Sequence, residues 1–185
     1  MNSKYSLDKT SKFIISEMMK DGRIKYTALA KKLNITPAAV KERVERLIDK
    51  KILRVSSMVN HQQYYPVTAT IGIESDAQGI DKLTRRLRNC PLVFHISRTS
   101  GNYNLIVSLL AEDLDFIDDF LNRQIRSESG VKHVEVNIGT ATVTPEYTPL
   151  RMFYPDDIEE APCGLMADDE RRCPRCPAFI KEEKK

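Results

Sequence analysis

Cysteine is the most reactive residue type in this chain. Three of its four cysteines fall in the last 25 residues, as Cys163, Cys173 and Cys176, in the spacing C-x9-C-x2-C. Thiolates are soft ligands, and a Cys-x-x-Cys pair suits zinc or an iron–sulfur cluster. A closed zinc site takes four ligands and the tail offers three. The fourth is then Cys90, a histidine, or a group from another subunit, and an iron–sulfur cluster has the same shortfall. Cys173-Pro174 and Cys176-Pro177 also resemble haem-sensing Cys-Pro pairs, a weaker pattern. Metal ranks first, an inert tail second, redox thiols third and haem last. Arg171, Arg172 and Arg175 beside these cysteines favour the thiolate form. The surrounding composition, charged, Pro-containing and poor in apolar residues, suits a mobile tail that core burial cannot order.

A second set of residues points to phosphate and base chemistry. Thr36 can cap a helix, with Pro37 at the first position, where a missing N–H costs nothing. Val40, Val44 and Leu47 then recur at helical spacing, with Ile48 at the edge of the stripe. That stripe turns Ala38, Ala39, Glu42, Glu45 and Arg46 outward, with Lys41 and Arg43 on the flanks. Two small residues at an exposed helix start let backbone approach base edges, and the cations can hold phosphates. The DNA-binding candidates are Thr36, Ala38, Ala39, Lys41, Glu42, Arg43 and Arg46.

A preceding helix must support this one. Within Arg23 to Leu53, Thr27 can cap that helix, Leu29, Ala30 and Leu33 form its inner face, and Asn34-Ile35 makes the turn. A further helix over residues 6–20 has Ser6 as its cap, Asp8 at its positive end and Leu7, Ile14, Ile15 and Met18 as its stripe. Charge is distributed accordingly. Residues 1–60 hold fourteen Lys/Arg against six Asp/Glu, residues 61–154 nine against eleven, and residues 155–185 six against nine. A basic head on a mildly acidic body is the footprint of a DNA-binding module. No apolar run reaches membrane-spanning length and the N-terminus lacks a signal-peptide core, so a cytoplasmic protein with no membrane partner is expected.

Ile52 to Val59 reads as a strand leaving the head, and residues 60–66 as a linker. Val67, Ala69, Ile71 and Ile73 alternate with polar neighbours, as in a half-buried strand. Ile80, Leu83 and Leu87 follow at helical spacing. A strand with Leu92, Phe94 and Ile96 on one face comes next, then a turn, then an apolar strand from Tyr103 to Ala111. A helix from Asp113 buries Leu114, Ile117, Leu121 and Ile125 and ends at Gly130. A last strand carries Val134, Val136 and Ile138 and extends toward Thr144. The fold class is α+β: an N-terminal helix-turn-helix, winged-helix-like head and a ferredoxin-like βαββαβ body. The expected divisions are 1–52 for the head, 53–66 for a linker strand, 67–150 for the body and 151–185 for the tail. One sheet face is left for solvent or another subunit, and Val/Ile-rich strands favour a subunit.

The segments LDKTSKFIISEMMKDGRIKYTALAKKLNIT, TPAAVKERVERLIDKKIL, SGNYNLIVSLL and SGVKHVEV, in this order, resemble the Lrp/AsnC family of transcription regulators over roughly residues 6–150. The resemblance implies double-stranded DNA as partner, a homodimer often built into tetramers or octamers, and a small effector, typically an amino acid, bound between bodies. Its recognition helix maps onto Thr36 to Leu47. Its effector loop maps onto Ser100, Gly101, Asn102, Tyr103 and Asn104. The family pattern there is Gly-x-x-Asp, whereas this chain ends the motif in Asn104, which removes a partner for an effector's ammonium group. The tail beyond residue 150 is a second departure. A rival reading, a sirohaem-decarboxylase-like enzyme on the same fold, would use His95, Arg98, Tyr103 and Asn104. The strongly basic head and the absence of a paired acid–base motif argue for the regulator. His61 and His133 carry no motif and read as polar surface residues.

Overall fold

A computed structural model describes residues 6–140, 147–149, 161, 163–165, 169–170 and 172–176. The chain divides into two units, Met1–Ser57 and Met58–Lys185. Unit 1 holds α1 (Lys9–Lys20), α2 (Tyr26–Leu33) and α3 (Pro37–Asp49). Asp8, not Ser6, caps α1. Its carboxylate accepts from the Ser11 N–H at 2.7 Å and from Arg43 Nη1 at 2.7 Å. Asp8 stands directly before Lys9 at the N-cap position, two residues past Ser6, and its carboxylate serves both an orphan helix donor and a cation. Those two donors hold Asp8 down to about 2, the Ser11 backbone N–H contributing most. Tyr26, one residue before the expected cap Thr27, begins α2, and Lys25 precedes it without a side-chain cap. Asn34 closes α2 in the left-handed conformation at φ 52°, as the short Asn side chain permits.

Ile14, Leu29, Ala30, Val40 and Val44 form the head's core. The carboxylate of the buried Glu17 on α1 accepts from Lys20 at 2.6 Å and from Lys32 on α2. The expected wing is missing: residues 6–57 form three helices and no strand.

Unit 2 begins with β1 (Val59–Asn60), far shorter than the expected strand Ile52 to Val59. Its partner, β6 (Tyr147–Thr148), is equally short, with Val59 opposite Thr148. A strand exists only where a ladder partner does, so residues 53–58 stay irregular. A 3-10 turn follows at His61–Gln63. His61, read from sequence as a surface residue, is only 2% exposed, its Nδ1 2.9 Å from the Thr148 hydroxyl.

The body proper is β2 (Val67–Ser75), α4 (Ala77–Leu87), β3 (Val93–Arg98), β4 (Leu105–Ala111), α5 (Leu114–Phe120) and β5 (Val131–Gly139), with antiparallel sheet order β3-β4-β2-β5. A π-helical stretch, Leu121–Arg126, continues α5. Ile71, Ile73, Leu83, Leu105, Leu109, Phe120 and Ile125 make the core between sheet and helices.

Three expected inward residues point out. Phe94 is the extra residue of a bulge, since Val93 pairs with Leu109 and His95 with Ser108, so Val93 packs in its place beside the expected Ile96. Leu114 is 56% exposed and Phe116 takes the inside place. Ile138 lies near the strand's end and is half exposed. Gly130 does not end the helix. It lets α4's start approach: a Cβ there would sit 2.5 Å from Asp76 Oδ1.

The sheet's other face is not the Val/Ile-rich surface expected. Register puts Thr68, Thr70, Gly72, Ser108, Glu135 and Asn137 on it, with Ile106 and the buried Leu110 among them. The expected extension of β5 toward Thr144 lies outside the described residues.

The described part of the tail contradicts a mobile, coreless segment. Ala161, Leu165 and Cys176 are buried. Arg175 donates to both oxygens of Asp113, at 2.6 and 2.8 Å, and lies 5.7 Å over the Phe116 ring. Arg123 donates to the Glu170 carbonyl. Asp113 also caps α5 by accepting from the Phe116 N–H at 2.8 Å. Arg175 first, and then that N–H, hold the Asp113 carboxyl down to about 2.

Candidate DNA interface, effector loop and thiol cavity

The start of α3 is built as its sequence dictates. The Thr36 hydroxyl accepts from the Ala39 N–H at 3.1 Å and Pro37 opens the helix. Val40, Val44 and Leu47 are buried, and Ala38, Lys41, Glu42, Glu45 and Arg46 are exposed, with Ala39 and Arg43 half-buried. The cations are not idle. Arg46 pairs with Glu42 at 2.5 Å, Lys41 with Glu45 at 3.7 Å and Arg43 with Asp8 at 2.7 Å. Exposed pairs of this kind stabilise by about 0–1 kcal/mol, so a phosphate can displace Glu42 or Glu45 at small cost. Arg43 is tied to α1 as well and serves the head's packing.

The loop Ser100–Asn104 joins β3 to β4. Gly101 has φ 120°, a conformation that side chains resist. The Asn104 side chain is spent on the backbone: Oδ1 accepts from the Ser75 N–H at 3.1 Å and Nδ2 donates to the Ser75 carbonyl at 2.7 Å. Tyr103 lies over Gly72, where a Cβ would meet its ring at 2.8 Å. Its hydroxyl donates to Glu135, and its ring stacks on His133 at 5.9 Å between centroids. Hydrogen bonds from Tyr103 and then Asn137 hold Glu135 below the usual carboxylate range, while the same Glu135 pushes the Tyr103 phenol up. Sequence reasoning missed Gly72, His133 and Glu135. Their signal was the strand pairing, which sets Gly72 opposite Glu135 and Glu74 opposite His133.

Three of the four residues of the enzyme reading are engaged elsewhere. Arg98 donates to Asp81, Tyr103 to Glu135 and Asn104 to Ser75, while His95 is exposed at the β3 bulge.

The three tail cysteines meet a fourth. Cys90, Cys163, Cys173 and Cys176 line one cavity of about 20 Å³, with Leu87, Phe120 and Leu165 among its walls. Cys90 follows α4 in a turn, its N–H donating to the Leu87 carbonyl at 3.0 Å. A loop holds Cys163: the Ala161 N–H donates to Leu165 and the Gly164 N–H to Ala161, each at 2.8 Å. A turn closes Cys-x-x-Cys, with the Cys176 N–H donating to the Cys173 carbonyl at 3.1 Å. None of the four is in a disulfide. Burial pushes Cys90 and Cys173 up to about 12 and raises Cys163 as well, so these three are neutral in the metal-free chain. Among the described residues, no three His, Cys, Asp or Glu side chains already stand as a metal-holding group.

Comparison with known proteins adds three observations. Residues 7–48 match the family model described as the AsnC-type helix-turn-helix domain, and residues 68–149 that of the Lrp/AsnC ligand binding domain. The transcriptional regulator LrpA of Pyrococcus horikoshii is 25% identical over 130 residues, covering 69% of this chain and 92% of LrpA. LysM, a transcriptional regulator of Saccharolobus solfataricus, is 24% identical over 127 residues, covering 68% of this chain and 88% of LysM. The solved structure of E. coli AsnC superposes with a TM-score of 0.67 at 22% identity, covering 76% of this chain and 97% of that one. Cys163, Cys173 and Cys176 lie beyond both family matches. Among the described residues, no helix is long and apolar enough to cross a membrane.

Proposed function

Since this chain belongs to the Lrp/AsnC family of transcription regulators, we propose that the exposed start of α3 reads operator DNA and that the body answers to a small effector at the loop Ser100–Asn104. The observation that carries the first half is the Thr36-capped, Pro37-initiated helix with Ala38 exposed beside Lys41 and Arg46. Backbone and small side chains come close to base edges there, and the cations exchange Glu42 and Glu45 for phosphates.

For the second half, N–H groups around Gly101 suit a carboxylate. Glu135, held ionised beside Tyr103, is the acid that Asn104 does not supply. An amino acid carries both complementary charges. Two copies of the chain, with recognition helices about one DNA turn apart, roughly 34 Å, would read a palindromic site.

Selection of bound sequences from a random duplex pool, followed by titration at several salt concentrations, tests the reading. Affinity falls steeply with salt as counterions are released. Arg46→Ala weakens the selected site by about 1–3 kcal/mol if it reads a base, or lowers the salt slope by about one if it holds a phosphate. Failure to enrich any sequence, or Arg46→Ala binding as the parent does at every salt concentration, refutes the assignment. A selected amino acid should lose affinity in Glu135→Gln while the effector-free DNA affinity stays unchanged.

A further inference from the structure

We propose that Cys90, Cys163, Cys173 and Cys176 bind one zinc ion as a tetrathiolate centre that fastens the tail to the body. The chain has four cysteines in 185 residues, and all four line the same small cavity. One comes from the turn after α4, one from the Cys163–Gly164 loop and two from the Cys-x-x-Cys turn. Three chain segments thus converge on one cavity, and each brings cysteine to its wall. Burial of a lone cysteine is ordinary, because an unbonded thiol packs as a small hydrophobe. Convergence of every cysteine from three separate turns is not explained by packing, which Ala or Val would do as well.

The donor set selects the ion. Four cysteine sulfurs, with the Gln124 side chain hydrogen-bonded to Cys173 beside them, suit a soft-accepting tetrahedral centre, and zinc takes four thiolates in closed structural sites. Size favours an ion over a cluster. A cavity of about 20 Å³ holds roughly one water-sized sphere. One ion fits that space, and the iron and sulfide atoms of a cubane cluster do not.

The cysteines line the cavity without yet forming a ligand set, so binding requires their rearrangement around the ion. Binding exchanges four thiol protons for one Zn²⁺ and leaves the site with a double negative charge. Arg172 on the cavity wall supplies positive charge against it. The anchor is half made without metal, since Arg175, between the two ligands of the Cys-x-x-Cys turn, already holds Asp113. Zinc therefore locks a tail that the ion pair has seated.

The test uses the full chain, reduced and metal-stripped under argon, titrated with Co²⁺ and then with Zn²⁺. One equivalent of Co²⁺ should produce sulfur-to-cobalt charge-transfer absorption and the visible bands of a tetrahedral site, and Zn²⁺ should erase both. Cys90→Ser should weaken Zn²⁺ binding at least roughly 100-fold, more than loss of a ligand-orienting group does. Because that variant could misfold, intact-mass counting of iodoacetamide adducts on the parent chain serves as a second measurement. One equivalent of Zn²⁺ should protect all four cysteines from alkylation. Three results overturn the proposal: no cobalt absorption, protection of the tail cysteines with Cys90 left reactive, or iron with acid-labile sulfide in the anaerobically purified protein.

Discussion

Replacing Asn104 by Asp restores the residue that the family pattern carries at the end of its effector loop, yet here it should destabilise the fold. The Asn104 amide makes two opposed bonds with one backbone unit, accepting from the Ser75 N–H and donating to the Ser75 carbonyl. An aspartate keeps the first bond and turns the second into an oxygen facing an oxygen. The lost bond is worth about 1 kcal/mol, and a carbonyl deprived of its donor costs about 1–3 kcal/mol when buried. Asn104 is half-buried, so water relieves part of this. We therefore expect Asn104→Asp to cost about 2 kcal/mol at pH 7, roughly 30-fold in the folding equilibrium. With a urea slope of about 2 kcal/mol/M, the body's midpoint should fall by about 1 M. The penalty belongs to the ionised form, so the folded protein holds this carboxyl above its unfolded value of about 3.9. An acid raised in this way recovers stability as pH falls, and its protonated O–H can donate to Ser75. The gap between variant and parent should thus close between about pH 6 and pH 4. Equal urea midpoints at pH 7, or a gap that persists at pH 4, would refute this account of the loop.

Gly72→Ala places a Cβ 2.8 Å from the Tyr103 ring; overpacking of this kind costs about 1–3 kcal/mol, and displacement of the ring should show as a changed tyrosine absorption and a weaker effector titration. Thr36→Ala removes the cap of α3 and should lower the head's stability by about 1 kcal/mol, seen as an earlier thermal transition of the head and weaker DNA binding. Arg175→Ala should speed hydrogen exchange at the Cys176 amide at pH 7. In the parent chain the same protection should hold above pH 4 and disappear only as pH falls toward 2, because Asp113 is ionised above its unfolded value and is held down to about 2 in the fold.

What the sequence disclosed is what local chemistry determines. Thr36-Pro37 fixed the start of α3 and Val40, Val44 and Leu47 its inner face, since capping and 3.6-residue periodicity act within one helix. The β-α-β-β-α-β order was equally readable. Several of the misses share a cause: a partner distant in sequence. The second partner of the Asp8 cap, Arg43, lies 35 residues away. His61 is buried by Thr148, 87 residues on. Phe94 turned outward because one extra residue in β3 cannot be counted without its partner β4. Glu135 entered the surroundings of the loop Ser100–Asn104 only through strand register, and Cys90 stands with the tail's thiols only because the fold brings the turn after α4 to them.

The pairing of β1 with β6 has a consequence for how the body is tethered. With β2 and β5 already paired at Thr68 and Gly139, closing the remaining chain of about 16 residues by two short strands and the His61–Thr148 hydrogen bond carries an entropy cost of roughly 2.5 kcal/mol beyond the constant term. Each strand of the clasp is only two residues long, so it should zip last in folding and open first under stress. It also brings the two ends of the sheet domain to one corner. The covalent lead to the head begins just before Val59, and the chain sets out toward its cysteines just after Thr148. Tension on either strand end is therefore delivered to the weakest joint of the body, and a tail held fast by its thiols would splint that joint against opening.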